Sequence, residues 1–200
     1  PQPAAPAAAP VAEPASLEDS IAYPSAAIPT FSTENLARKG FYFAGGDYVG
    51  DPPVMGGQMY VEVWEPQEIT QPYPLVIFHG NGQTGVDWLQ TPDDRAGWAY
   101  YLIEQGYVLY MVDYPARGRS AYIPGGVHGD LGIRSAEQLE TIWTNVGEKG
   151  NFPLKDNHDQ WPGAGHAGDP IFDNFIKTQV QFAGQSTTMA RAAAMELLDT

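Results

Sequence analysis

Residues 75–85 read Leu75-Val76-Ile77-Phe78-His79-Gly80-Asn81-Gly82-Gln83-Thr84-Gly85, and this stretch sets the fold. Four consecutive apolar residues suit a strand covered on both faces, whereas a strand with one wet face alternates. The run stops at His79-Gly80, and the small residues beyond it make a loop whose backbone can approach a ligand closely. Downstream, Trp98-Ala99-Tyr100-Tyr101-Leu102-Ile103-Glu104-Gln105 predicts a helix, with Gly106 placed to cap its C-terminus. Tyr107-Val108-Leu109-Tyr110-Met111-Val112 predicts a second buried strand, ending at Asp113. Strand, helix and strand over this distance form a right-handed crossover between parallel neighbours.

Upstream, Phe41-Tyr42-Phe43-Ala44 before Gly45-Gly46 reads as a strand entering a turn, and Met59-Tyr60-Val61-Glu62-Val63-Trp64 alternates as a strand with two unlike faces does. Asp51-Pro52-Pro53 and Gly56-Gly57 punctuate the link between them, so this pair is expected to enter the sheet antiparallel. After Ser120 the pattern loosens. A helix over 136–146, N-capped by Ser135, stands among Gly- and Pro-rich loops, and a long region of this kind between core elements suits a lid. Residues 178–198 predict one last helix, rich in Ala and Met and free of proline. The resulting division is a Pro/Ala-rich tail at 1–30, a core at 31–120, a lid or insertion at 121–176, and a core helix at 177–200.

Composition narrows the function classes. The chain has 200 residues and a formal net charge of −14, a surface that repels phosphate backbones and argues against nucleic-acid binding. Cysteine is absent, which excludes disulfides and thiolate metal sites. No apolar run approaches the roughly 20 residues a membrane helix needs, so no membrane partner is expected. The start, PQPAAPAAAPVAEPA, favours extended chain over helix or sheet, and with no initiator methionine it suggests a processed, secreted protein. Asp156, Asn157, His158, Asp159, His166 and Asp169 have neither zinc-helix nor calcium-loop spacing; they read as a solvated loop, and neither a metal nor a cofactor is expected.

Two segments carry a family resemblance. The run at 75–85 resembles the strand and oxyanion loop of α/β-hydrolases. Val112-Asp113-Tyr114-Pro115-Ala116-Arg117-Gly118-Arg119-Ser120 resembles the turn after the next strand of that fold. More closely, residues 40–121, with Thr91-Pro92-Asp93-Asp94-Arg95-Ala96-Gly97-Trp98 after the loop, are similar to a small esterase branch of the superfamily with secreted members. Some bacterial relatives place cysteines where this chain has Asn81 and Gly82. The resemblance implies an α/β-hydrolase fold, a mostly parallel sheet with antiparallel N-terminal strands, acting on a small-molecule ester. Asn81, then Gly82, would give the backbone N–H of an oxyanion hole. Gln83 and Trp88 are candidates for substrate contact. His79 is assigned to supporting the loop, because the family's catalytic histidine comes late in the chain. Arg117 is expected to pair with a nearby carboxylate and brace the turn.

No serine here has the Gly-x-Ser-x-Gly elbow. Ser120 reads as a turn residue, and Ser186 as part of the last helix or its start. The resemblance therefore places the Ser-acid-His triad beyond Thr200. It also places the nucleophile strand beside residues 75–78, which would otherwise be an apolar edge. The expectation is a serine carboxylic-ester or lactone hydrolase whose N-terminal portion is this chain, incomplete without its C-terminal half as a separate chain. The alternatives are a non-catalytic binding module on the same fold and a hydrolase-fold lyase or isomerase.

Overall fold

In the computed structural model, which describes residues 24–125 and 127–200, the apolar run is a strand paired in parallel with its expected partner. The Pro/Ala-rich stretch at 1–15 lies outside the described residues. The chain divides after Thr30, and the fold described is that of Phe31–Thr200. Its elements are β1 (Leu36–Ala44), β2 (Asp47–Val49), β3 (Val54–Gly56), β4 (Met59–Pro66), β5 (Leu75–Ile77), α1 (Trp98–Glu104), β6 (Leu109–Asp113), β7 (Leu131–Gly132), α2 (Ala136–Leu139), α3 (Val146–Lys149), α4 (Pro170–Thr178), β8 (Phe182–Ala183) and α5 (Ser186–Leu198). A four-stranded sheet runs in the order β1-β4-β6-β5, and two short antiparallel pairs, β2-β3 and β7-β8, lie outside it.

Strand alternation builds the two faces of the sheet. Trp64, Leu109 and Met111 turn to one face, where Ala99 and Ile103 of α1 cover them. Met59, Val61 and Val112 turn to the other, against Ala193 and Leu197 of α5. Met59, Val61, Leu109 and Met111 are at most 1% exposed. Each such side chain stabilises the fold by roughly 1.5–3 kcal/mol relative to exposure. Gly106 follows α1 with φ +83°, the left-handed cap its position required.

β5 pairs with β6 in register Leu75↔Leu109, Val76↔Tyr110 and Ile77↔Met111, with α1 as the crossover. The sheet is nevertheless mixed rather than mostly parallel. Both β1-β4 and β4-β6 are antiparallel, and β5-β6 is the one parallel pair among the described residues. The reason is connectivity. A parallel pair needs a crossover, and a single crossover helix joins neighbouring strands of this sheet. β5 stands at the edge, its three residues half-buried.

Two expected helices differ. Residues 136–146 start as expected, with a capping box between Ser135 and Gln138, but α2 gives way after one turn to a π-helical turn at Glu140–Thr144 before α3. The single helix expected over 178–198 is in fact the last residue of α4, strand β8 and helix α5. α4 ends at Thr178, residues 182–183 pair with β7, and α5 starts only at Ser186. Val180 and Phe182 favour extended chain, and Gly184 interrupts the helix, so the segment pairs with β7 instead of continuing the coil. α4 itself is announced by Asp169, whose carboxylate accepts from Ile171 N–H, followed by Pro170 in the first turn.

Candidate active site

The site forms at the C-terminal ends of β5 and β6, where ligands of open α/β sheets bind. At its centre is the Gly80–Asn81 peptide. The Gly80 carbonyl accepts from His79 Nδ1 at 2.9 Å, from Arg117 Nη1 at 3.2 Å and from Gln83 N–H at 3.3 Å. In a trans peptide the following N–H points opposite to the carbonyl. Three donors on one oxygen therefore aim the Asn81 N–H the other way, and among the described residues it has no acceptor. A Cβ at Gly80 would lie 2.2 Å from Gln83 Oε1, so a larger residue there would displace the Gln83 side chain. Gly82 is buried, and its carbonyl accepts from Val180 N–H at 2.8 Å, tying the loop to the segment before β8.

His79 is 5% exposed. Its Nε2 accepts from Tyr114 N–H at 3.0 Å, which puts the proton on Nδ1 and makes that nitrogen the donor to Gly80. Burial lowers its pKa, with the Arg117 charge acting the same way, so the neutral ring is the stable form. A doubly protonated ring would lose the Tyr114 bond.

Among the described residues Arg117 does not pair with a carboxylate. Its guanidinium lies near the Tyr114 and Phe182 rings, 5.4 and 5.8 Å from their centroids. Besides Gly80 it donates to Asn81 Oδ1 and Ser186 Oγ, both at 3.0 Å. Burial lowers its pKa. The nearby carboxylate is Asp113, and Arg119 takes it: Asp113 Oδ2 accepts from Arg119 N–H at 2.9 Å and Nε at 2.8 Å, while Oδ1 accepts from Gly85 N–H at 2.6 Å. Arg119 also pairs with Glu62. Burial pushes the Asp113 carboxyl up, but the hydrogen bonds from Arg119 and Gly85 and the Arg119 charge outweigh it, and the group lies below the usual carboxylate range. Sequence reasoning missed Asp113 as the organiser of the turn; its one signal is an aspartate ending a wholly apolar strand.

Two cavities flank the peptide. One, of about 410 Å³, is lined by His79, Asn81, Tyr114, Arg117 and Ser186 among others. The other, of about 380 Å³, is lined by Gln83, Trp88 and several further aromatic residues. Asn81 and His79 thus share the first cavity with Arg117, while Gln83 and Trp88 share the second with His79. Both candidate serine hydroxyls are held in hydrogen bonds, Ser186 at the wall of the first cavity. Ser186 Oγ accepts from Arg117 in the first turn of α5, and Ser120 Oγ donates to the Asp113 carbonyl at 2.7 Å while accepting from Tyr60 N–H at 2.7 Å. Among the described residues no three His, Asp or Glu side chains come together as a metal site, and no helix is long and apolar enough to cross a membrane.

Comparison with known proteins agrees with this architecture. The chain is 38% identical over 162 residues to a probable secreted lipase, phiG, of Fungal sp. (strain ATCC 74256), a match over 78% of this chain and 42% of that protein. A solved bacterial esterase, described as novel, superposes with a TM-score of 0.63 at 23% identity, over 85% of this chain and 59% of its own. No family model matches the chain. The mixed sheet, its two helical layers and the likeness to the bacterial esterase give the chain the α/β-hydrolase fold. It spans about two-fifths of the length of the fungal lipase.

Proposed function

We propose that this chain is the N-terminal portion of a secreted serine carboxylic-ester or lactone hydrolase. It supplies the oxyanion loop and, through residues 121–176, a lid, while the Ser-acid-His triad comes from polypeptide that continues the fold. The observation that carries this reading is the unpartnered Asn81 N–H beside a cavity, on a peptide whose carbonyl three donors hold. Ester hydrolysis builds negative charge on the carbonyl oxygen in the transition state. A donor fixed before the reaction stabilises that charge without reorganising, and one such donor is worth roughly 3 kcal/mol of barrier. The Asn81 N–H takes the role of first donor, with Gly82 second. His79 and Arg117 act through the Gly80 carbonyl as positioning residues, and Gln83 and Trp88 contact the substrate. In this fold the strand bearing the nucleophile is the next neighbour of β5, and β5 has a free edge to receive it.

The test uses a short-chain aryl ester and a serine-directed covalent inhibitor. Residues 1–200 alone should neither turn over the ester nor take the label. Supplying the continuing polypeptide should restore inhibitor-sensitive hydrolysis, with the label on a serine outside this chain. Robust turnover by 1–200 with the label on Ser120 or Ser186 would overturn the placement of the triad.

A further inference from the structure

The cavity that holds Gln83 and Trp88 has a wall chemistry that the ester reaction does not require. Five aromatic side chains, Phe78, Trp88, Trp98, Trp161 and Phe175, line it. Trp161 and Phe175 meet edge to face with centroids 5.6 Å apart. Trp98 is 64% exposed and Phe78 39%, so aromatic surface is already open to solvent. One carboxylate, Asp87, stands in this lining, and no Lys or Arg does. Asp87 forms no ion pair among the described residues, and its Oδ2 is buried without a hydrogen-bond partner. Burial pushes its carboxyl up to about 6, Thr178 pulls the other way, and the Asp113 charge adds to the rise.

These features select a ligand by elimination. A buried carboxylate without a counter-charge is costly, and aromatic faces carry negative charge density. An anion is repelled by both, and the indole N–H groups of Trp88 and Trp161, buried without a partner, are neutral donors that do not offset the carboxylate charge. A neutral apolar group satisfies the rings but leaves the carboxylate alone. A small metal ion needs several oxygen or nitrogen ligands at once, and one carboxylate does not provide them. A large, weakly hydrated organic cation suits both, since it is attracted to aromatic rings and to the carboxylate together. The net charge of −14 draws cations toward the molecule from all sides.

We propose that this cavity binds an alkylammonium group, enclosed by Trp88, Trp98, Trp161, Phe78 and Phe175 with Asp87 as its counter-charge. The ester substrate accordingly carries a quaternary or protonated amine on the part that enters here. The statement about substrate rests on the proposed function; the cation site does not.

The test is binding to the full 200-residue chain, read by tryptophan fluorescence and titration calorimetry at physiological ionic strength, where long-range attraction is screened. The probes are choline and its uncharged carbon isostere, 3,3-dimethylbutan-1-ol. Choline should bind at least about ten-fold more tightly, Asp87→Asn should erase the difference, and Trp161→Phe should weaken choline a few-fold while keeping it. Equal binding of the two probes, binding of neither, or a preference that survives Asp87→Asn overturns the proposal. Hydrolysis separates the two readings. If choline binds as stated but the completed enzyme cleaves no ester, the hydrolase reading fails and the cation site stands. If simple esters are cleaved while choline does not outbind its isostere, the cation site fails alone.

Discussion

At position 81 the side chain and the backbone have separate work. The Asn81 carboxamide accepts from Arg117, whereas in the proposed mechanism only the amide N–H meets the substrate. Asn81→Ala should lose one hydrogen bond, lower stability by about 1 kcal/mol and leave turnover within a few-fold. Asn81→Pro removes the donor itself and should depress kcat of the completed enzyme by about 10²-fold or more with KM little changed. Thermal melts alongside steady-state kinetics separate the two effects, and full activity in Asn81→Pro would take the amide out of the mechanism. At this scale the sequence was legible where chemistry is local. Ser120 could be read as a turn residue because a hydroxyl among Gly and Arg after a strand has nearby backbone to bond. The partner of Arg117 could not be read. Arg117 and Arg119 both stand within six residues of Asp113, and which guanidinium reaches it depends on how the turn folds back. The aromatic lining was equally hidden, since Phe78, Trp161 and Phe175 are far apart in the chain and meet only in three dimensions.

A start signal made one helix legible and was passed over in another, since Asp169-Pro170 opens α4 inside the stretch read as lid. Ser135 caps α2, its Oγ accepting from Gln138 N–H at 3.2 Å while Gln138 Oε1 accepts from Ser135 N–H at 2.9 Å. Ser135→Ala should cost about 1 kcal/mol. The loss should be local. Hydrogen exchange should quicken in α2 and the π-helical turn after it, with α1 and the central strands unchanged; a uniform change across the fold would show that the cap supports more than its own helix. The last helix was misjudged at its start, which lies at Ser186, while its end at Leu198 was read correctly. The chain from Thr178 to Ser186 has no proline, and nothing local states that Phe182 and Ala183 will pair with Leu131 and Gly132, some fifty residues earlier. That pairing is a tertiary decision overriding helix propensity. The same holds for β1, which extends back to Leu36 through Arg38 and Lys39; an edge strand with solvent on one side needs no apolar run to form.

For the molecule as a whole, the crossover from β5 through α1 to β6 was the most legible feature, because both strands are apolar and the helix between them is capped. The antiparallel pairing of β4 with β6 was not, since it joins strands separated in sequence by β5. The free edge of β5 makes a prediction for the assembled protein. Leu75 N–H donates to Val108 O at 2.9 Å, so the Val76 N–H points away from β6. In residues 1–200 alone the Val76 amide should exchange quickly and those of Leu75 and Ile77 slowly. When the continuing polypeptide is added, Val76 should become protected. A Val76 rate unchanged in the active, completed enzyme would place the next strand elsewhere. The contacts of Arg117 have a mechanical consequence at the same scale. One guanidinium grips the Gly80 carbonyl with Nη1 and, with Nη2, both the Asn81 carboxamide and Ser186 in the first turn of α5. The thirteen-residue helix α5 is thus tied at its first turn, through a single side chain, to the loop that carries the Gly80–Asn81 peptide.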